Sequence, residues 1–401
     1  MKTIKTNHIG SILLMVNAFV YISSSFYSPF LSSYYSKAGM SAVQIGVLLT
    51  IGPIIAIFIQ PLWAVLSDRT ERRKDILSLV ILGSGISMFA YYLGKSFLTF
   101  FIATLLLSVF CTSIIPLSDA IILHNTYKYR LDFTKIRMGG TIGYAIVVII
   151  AGAIVKQNPE IQFILGSLGY LMLLLFVRKL PGDEREELDN VVPEKKQNTR
   201  RFQPSALLHI FETKQIYFIL AFAFIGQVGI SFNSSFIGVY MVKLNLSEGL
   251  IGYISCIAAL SEIPILFLIN RVLRKISIMK LTIFSCLILS IRFFIVTGGS
   301  IGFIIIAQSL HGLTYMIMYI CCAVYISKNV KQENQSKGQS ILAIIQTGIG
   351  SIVGNIVGGF FVDQFGLNLA YQYIAIIIIS FSGIILILQL ITHQKSKRKL
   401  V

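Results

Sequence analysis

The chain has 401 residues, 55% of them hydrophobic and only 13% charged, with a mean hydropathy of +0.78. A soluble domain carries about 25% charged residues, so one water-facing core cannot hide this much apolar surface and lipid must cover it. The formal net charge of +17 would fit a nucleic-acid partner, but the basic residues are sorted by side of a membrane and form no binding patch.

A bilayer-crossing helix needs about 20 apolar residues. In chain order such runs fall at 9–35, 43–67, 76–94, 97–126, 137–157, 161–178, 215–242, 248–270, 280–298, 301–327, 339–362 and 368–391. They predict an all-α membrane protein with twelve transmembrane helices. The closely spaced runs 137–157 and 161–178 could instead form a re-entrant hairpin, which keeps the count even. Met1–His8 is short and basic, and the run after it is long enough to span, so no cleavable signal peptide is expected. The cysteines Cys111, Cys256, Cys286, Cys321 and Cys322 all lie in apolar runs without metal-ligand spacing. Neither a metal nor a disulfide is expected.

Placing the 34 Lys and Arg on the two sides of the spans puts Lys37, Lys95, Lys156 and Lys243 on one side. Arg137 and Arg292 fall inside the membrane, and all the others collect on the second side. Positive charge stays in the cytoplasm, so both termini are expected there, with anionic inner-leaflet lipid attracting the excess.

The longest polar stretch, RKLPGDEREELDNVVPEKKQNTRRFQPS, follows the sixth run and reads as a flexible cytoplasmic linker. It divides the chain into a six-helix bundle at 1–178, a linker at 179–214 and a second six-helix bundle at 215–401. The halves resemble each other. LSDRTERRK at 66–74 answers LINRVLRKI at 268–276, and GTIG at 140–143 answers TGIG at 347–350. Chance likeness of Gly-rich membrane helices is the alternative to duplication. A duplicated unit fits a transporter whose site lies at the repeat interface.

Fifteen of the 17 Asp and Glu lie in loops, tails or helix ends; Asp119 and Glu262 lie deep, as do Arg137, Arg292 and His311. Intramembrane ionisable groups mark substrate or ion pathways by default. Asp119 is nine residues before Lys128 and Arg137 nine after it, so both lie about 13 Å from the hairpin tip, level with each other. Glu262 and Arg292 flank the 271–280 loop in the same way, each 15 residues from Ser277. One acid–base pair per half is therefore expected, with His311 beside the second. A purely structural ion pair is the alternative reading for each, and a carbonyl-bonded core histidine is the alternative for His311.

Pro29 interrupts the first run beside Tyr27, Tyr34 and Tyr35. Tyr27 is a candidate ring-stacking residue or a packing residue, whereas Tyr34 and Tyr35 are expected to pack or to sit at the interface. Gly139, Gly140 and Gly143 are expected to admit close helix approach. Gln227, Asn233 and Ser235 are expected to hydrogen-bond between helices, with lining of the cavity as the alternative. No phosphate loop and no nucleophile–base motif is readable, so neither ATP drive nor an enzyme is expected.

These residues carry a resemblance. AVLSDRTERRK resembles the loop between helices two and three of the major facilitator superfamily, with Ala64 and Glu71 where glycines are usual and Asp68, Arg69, Arg72 and Arg73 keeping its charges. That implies the major facilitator fold and a gating loop. The stretches PLSDA, LDFTKIRMGGTIGY, SEIPILFLINR, IRFF and LHG are similar to the lactose permease and phenylpropionate permease branch. The resemblance places Asp119 and Arg137 at substrate-binding positions, Tyr144 at a stacking tryptophan, and Glu262, Arg292 and His311 at proton-coupling positions. Thr314 stands in place of the branch's glutamate, and Thr347 about where a lysine would be.

The expected function is a multi-pass cell-membrane transporter working by alternating access, with proton-coupled uptake of a small polar solute such as a sugar or nucleoside. Substrate, protons and the bilayer are its expected partners. It is expected to need no cofactor beyond the proton gradient, no metal and no nucleic acid, and to work as a monomer. A neutral set of deep charges suits a neutral solute. The alternatives are a permease for aromatic carboxylates, a drug or metabolite exporter, and a non-transporting membrane protein.

Overall fold

The computed structural model describes residues 2–70, 72–181 and 214–398. The expected linker 179–214 lies outside them except at its ends. Every described element is helical: α1 (Lys2–Ser25), α2 (Leu31–Lys37), α3 (Ala42–Phe58), α4 (Gln60–Thr70), α5 (Arg73–Ser87), α6 (Phe97–Cys111), α7 (Ile114–Lys128), α8 (Phe133–Val155) and α9 (Ile161–Arg178) before the gap. After it come α10 (Lys214–Lys243), α11 (Glu248–Val272), α12 (Ile278–Val296), α13 (Ile301–Ser309), α14 (His311–Asn329), α15 (Gln335–Ala343), a π-helical turn (Ile344–Gly350) and α16 (Ser351–Arg398).

Eleven helical stretches among the described residues are long and apolar enough to cross a bilayer. The last, Lys337–Gln389, has 53 residues, about 80 Å of helix and enough for two crossings. It is broken at Gly366, whose φ of 77° and ψ of 165° no L-residue adopts comfortably. A single glycine therefore makes the turn expected between 362 and 368.

Breaks inside the other spans have local causes. Pro29 sits in a 3-10 turn, Ser28–Phe30, between α1 and α2. Pro cannot donate the helical bond and clashes with the turn before it, so the first span bends there. The same argument places the α3/α4 break before Pro61 and the α6/α7 break before Pro116. α13 and α14 part at Leu310 without a proline; the amide of Gly312 donates instead to Ser261 Oγ at 2.9 Å.

The expected close-packing glycines lie against α1. A methyl on Gly139 would meet Leu14, one on Gly140 would meet Tyr21 and Asn17, and one on Gly143 would meet Ile22. Asn17 is buried and accepts from the Gly140 amide at 3.1 Å. In the second half Gln227 donates to Ser231 Oγ at 3.0 Å and to Ser351 Oγ at 3.1 Å, and Ser235 donates to Asn355 Oδ1 at 2.8 Å. Those residues tie α10 to α16, as expected. Tyr34 and Tyr35 are buried.

The two halves meet along α8 and α11, along α3 and α16, and along α2 and α10. The approach is backbone on backbone: Gly252 faces the Val148 carbonyl, Gly46 faces that of Asn355, and Gly359 faces that of Ala42. All these contacts lie toward the face that bears the α2–α3 and α10–α11 connections. At the opposite face, which bears the α4–α5 and α7–α8 connections, α4, α7 and α15 pack mainly on elements of their own half. The seam is closed at one face and open at the other.

Candidate functional site

Asp119 lies one turn past the start of α7 and Arg137 one turn past the start of α8, whose N-terminus Asp132 caps through bonds from the Thr134 amide at 2.9 Å and the Lys135 amide at 3.3 Å. The Arg137 Nη1 donates to both carboxylate oxygens of Asp119 at 3.0 Å. Their side chains keep 43% and 31% of their exposure although both sit in apolar runs, so they face the open seam and not lipid. The guanidinium also lies 5.7 Å from the centre of the Tyr21 ring. Nη1 serves the carboxylate and Tyr21 is also within hydrogen-bond reach of the guanidinium, which carries five N–H donors in all.

The second half supplies a different arrangement from the expected pair. Glu262 does not contact Arg292. α11 and α12 are consecutive, but α13 and α14 lie between them, so equal height along the chain does not make their side chains neighbours. Arg292 is fully buried. Its Nη1 donates to Thr314 Oγ1 at 3.1 Å and to His311 Nδ1 at 3.2 Å, and its Nη2 bonds Gln308 Oε1. Glu262 Oε1 lies 3.4 Å from His311 Nε2. A guanidinium only donates, so Nδ1 must accept; in the neutral imidazole the ring proton is then on Nε2, aimed at Glu262. The imidazole thus stands between the buried cation and the carboxylate, and Thr314 acts as an acceptor for Arg292.

Three rings stack along one face of α14. His311 and Tyr315 lie 5.4 Å apart with planes 13° from parallel, and Tyr315 and Tyr319 lie 6.1 Å apart at 25°. Tyr319 is exposed and lies within electrostatic range of Arg137 and Tyr21 in the other half, as Tyr315 does. Tyr144, half-buried on α8, is likewise in range of Glu262. The seam therefore has an ionic wall from the first half and an aromatic wall from the second. Tyr21, Tyr315, Tyr319 and Gln308 were not among the expected site residues; the four-residue spacing from His311 is the signal that points to Tyr315 and Tyr319 sharing its helix face.

Tyr27 is not part of this arrangement. Its hydroxyl pairs with that of Tyr170 at 2.9 Å and it is buried in the first half. Its ring lies against that of Tyr170 on α9, with centroids 6.4 Å apart. In the expected gating loop, Arg73 lies 3.7 Å from Asp68, whose side chain is 70% exposed. Arg69 and Arg72 are exposed on the same face.

The model of the MFS_1 like family matches residues 12–373. The uncharacterized transporter YwbF of Bacillus subtilis (strain 168) is 25% identical over 386 residues, covering 95% of this chain and 93% of that protein. The maltose permease of Geobacillus stearothermophilus is 22% identical, covering 92% and 91%. A crystal structure of the nucleoside transporter NupG superposes with a TM-score of 0.76 at 18% identity, covering 94% of this chain and 98% of that one. Fold, multi-pass helices and family agree: this chain is a membrane protein of the MFS_1 like family of transporters and not an enzyme.

Proposed function

We propose that the protein is a secondary transporter that carries a small, ring-bearing polar solute, a sugar or a nucleoside, across the cell membrane by alternating access. The observation that carries this reading is the half-exposed Arg137–Asp119 pair facing stacked rings across a seam open at one face. In this reading the chain makes twelve spans, the two parts of Lys337–Gln389 counting separately, in two six-helix bundles. Both termini are cytoplasmic, and the open face is the cytoplasmic one. A monomer suffices, because the seam lies between halves of one chain. The sugar and nucleoside permeases among its relatives support the solute class.

The chemistry follows from the groups present. Arg137 donates charge-assisted bonds to solute hydroxyls or a carbonyl, while Asp119 accepts from hydroxyls and holds the guanidinium in place. Because the two charges cancel, a neutral solute leaves none unpaired. Tyr144, Tyr315 and Tyr319 offer ring faces to the apolar face of the solute. Truncating Tyr319 to Ala is expected to weaken solute binding about 2- to 10-fold, from the roughly 0.5–1.5 kcal/mol of one aromatic contact. Tyr319→Phe should retain most of it. Isothermal titration of the purified variants checks this.

For coupling, Glu262 is the proton carrier in this reading. Both ring nitrogens of His311 are engaged, and protonating Nδ1 would break its bond from Arg292, whereas Glu262 meets His311 through Oε1 alone among the described residues. Uptake is then expected to rise as the outer solution is acidified. Glu262→Gln should exchange solute across proteoliposomes but neither accumulate it nor respond to pH. Accumulation by Glu262→Gln against a gradient would contradict the assignment. The test of the function itself is solute flux: a sugar or nucleoside should move in proteoliposomes, and Arg137→Gln should stop it.

A further inference from the structure

We infer that the closed face is held by an asymmetric pair of carboxylate contacts between the halves, in which Asp363 caps a helix of the opposite half and Glu248 binds Lys37. This device stands apart from what the site carries.

The first amides of a helix have no acceptor within it. In α3 they are satisfied from two sources. Ser41 Oγ accepts from the Gln44 amide at 3.2 Å, and Gln44 Oε1 accepts from the Ser41 amide at 3.0 Å, which closes a local capping box. The amides of Ala42 and Val43 donate instead to Oδ1 and Oδ2 of Asp363, at 2.8 and 2.9 Å. Asp363 belongs to α16, three residues before the kink at Gly366. The cap of α3 is thus completed by the other half of the chain.

The matching helix of the second half is arranged differently. α11 follows Ser247, which makes no side-chain cap bond, and begins with Glu248. That carboxylate is buried and takes Lys37 from the end of α2. α3 and α11, which both start on this face, therefore each have a carboxylate shared between the halves. Asp363 is recruited to a helix whose own first residue is Ala42, whereas Glu248 is the first residue of its own helix. At the open face the ion pair of Asp68 and Arg73 stays within one half.

Both contacts must break when this face opens. The separated groups are then rehydrated and no apolar surface is left unpartnered by their loss, so they can act as a releasable seal. Anions are stabilised at helix N-termini, and N–H bonds to carboxylates are among the stronger hydrogen bonds. Removing the Asp363 charge is expected to raise the population open at this face about tenfold.

The test is pulsed EPR on the full-length protein in lipid nanodiscs. Nitroxides at Lys156→Cys and Lys243→Cys, both exposed near the closed face, report on that face. A second pair at Lys128→Cys and Lys328→Cys reports on the open face. Asp363→Asn keeps the size of the side chain but loses its charge. Ala42→Pro keeps Asp363 and removes a donor. Proline is tolerated at the first helical position, and Ser41 already has the extended conformation a residue before proline needs, with φ −66° and ψ 162°. Both variants are expected to lengthen the first distance and shorten the second. Distributions unchanged in both variants, or broadened at both faces in both, would overturn the inference.

Discussion

Arg137→Gln is expected to abolish solute uptake and to weaken solute binding about 10- to 100-fold while leaving the fold intact. The magnitude follows from the loss of charge-assisted hydrogen bonds to the solute, each worth roughly 1.5–3 kcal/mol. The fold survives because the pair is half-exposed in the seam, where an ion pair contributes on the order of 1 kcal/mol or less to stability. Glutamine still donates to Asp119, but it lacks the charge and the fork that can hold the carboxylate and a solute hydroxyl together. Arg137→Lys keeps the charge without the fork and should recover only part of the binding. Titration calorimetry for affinity, with thermal unfolding beside it, separates the two effects. A large fall in melting temperature with unchanged affinity in the surviving protein would assign the pair to structure alone.

The second large effect is expected at Gly312. A methyl there would lie 2.6 Å from the Ser261 carbonyl carbon and 3.0 Å from the Glu262 amide nitrogen. Both are backbone atoms of α11, so neither can rotate aside, and α14 must move off. That displacement lengthens the bond from the Gly312 amide to Ser261 Oγ, now 2.9 Å, and the contact of His311 with Glu262, now 3.4 Å. Gly312→Ala should therefore destabilise the protein by about 1–3 kcal/mol and flatten the pH dependence of uptake together. Gly383→Ala is the control, because nothing lies within 4 Å of its added methyl. Thermal unfolding and pH-dependent uptake of both variants check this. A Gly312→Ala protein as stable and as pH-responsive as Gly383→Ala would mean that the helix contact is looser than described.

Particular residues explain how much of this was legible in the sequence. The helical stretches follow from apolar run length, and the ends of several from Pro29, Pro61 and Pro116. Asp119 and Arg137 were legible as a pair because a short hairpin joins their helices, so height along the helix and adjacency in space coincide. For Glu262 and Arg292 the heights match as well, but α13 and α14 lie between their helices. Sequence spacing carries height and not which helix stands next to which, and the expected pair failed for that reason. Tyr27 was open between stacking and packing, because position along a run does not say which ring it meets; its hydroxyl pairs with that of Tyr170. The ladder on α14 was present in the spacing of His311, Tyr315 and Tyr319, but only the ionisable His311 stands out in an apolar run, and the two tyrosines carry no charge to mark them.

A stronger repeat than those expected also lies in the chain. Tyr34, Lys37, Ser41 and Gly46 recur as Tyr240, Lys243, Ser247 and Gly252 at one constant spacing. Ser41 and Ser247 both precede helices in extended backbone. Gly46 and Gly252 both face a carbonyl of the other half. The repeat spans a loop and two helix ends and is not confined to one apolar run. Its departures are informative too: Ala42 answers Glu248, which is where the two closures of this face differ.

The most direct test of the central claim is solute counterflow in proteoliposomes, with labelled nucleosides, disaccharides and aromatic carboxylates offered to the parent protein, Arg137→Gln and Gly383→Ala. Counterflow needs no proton gradient, so it reads the site and the alternating step without the coupling residues. The account predicts exchange of a nucleoside or a sugar by the parent and by Gly383→Ala, and none by Arg137→Gln. Exchange confined to aromatic carboxylates, exchange that survives in Arg137→Gln, or no exchange of any solute by the parent would contradict it.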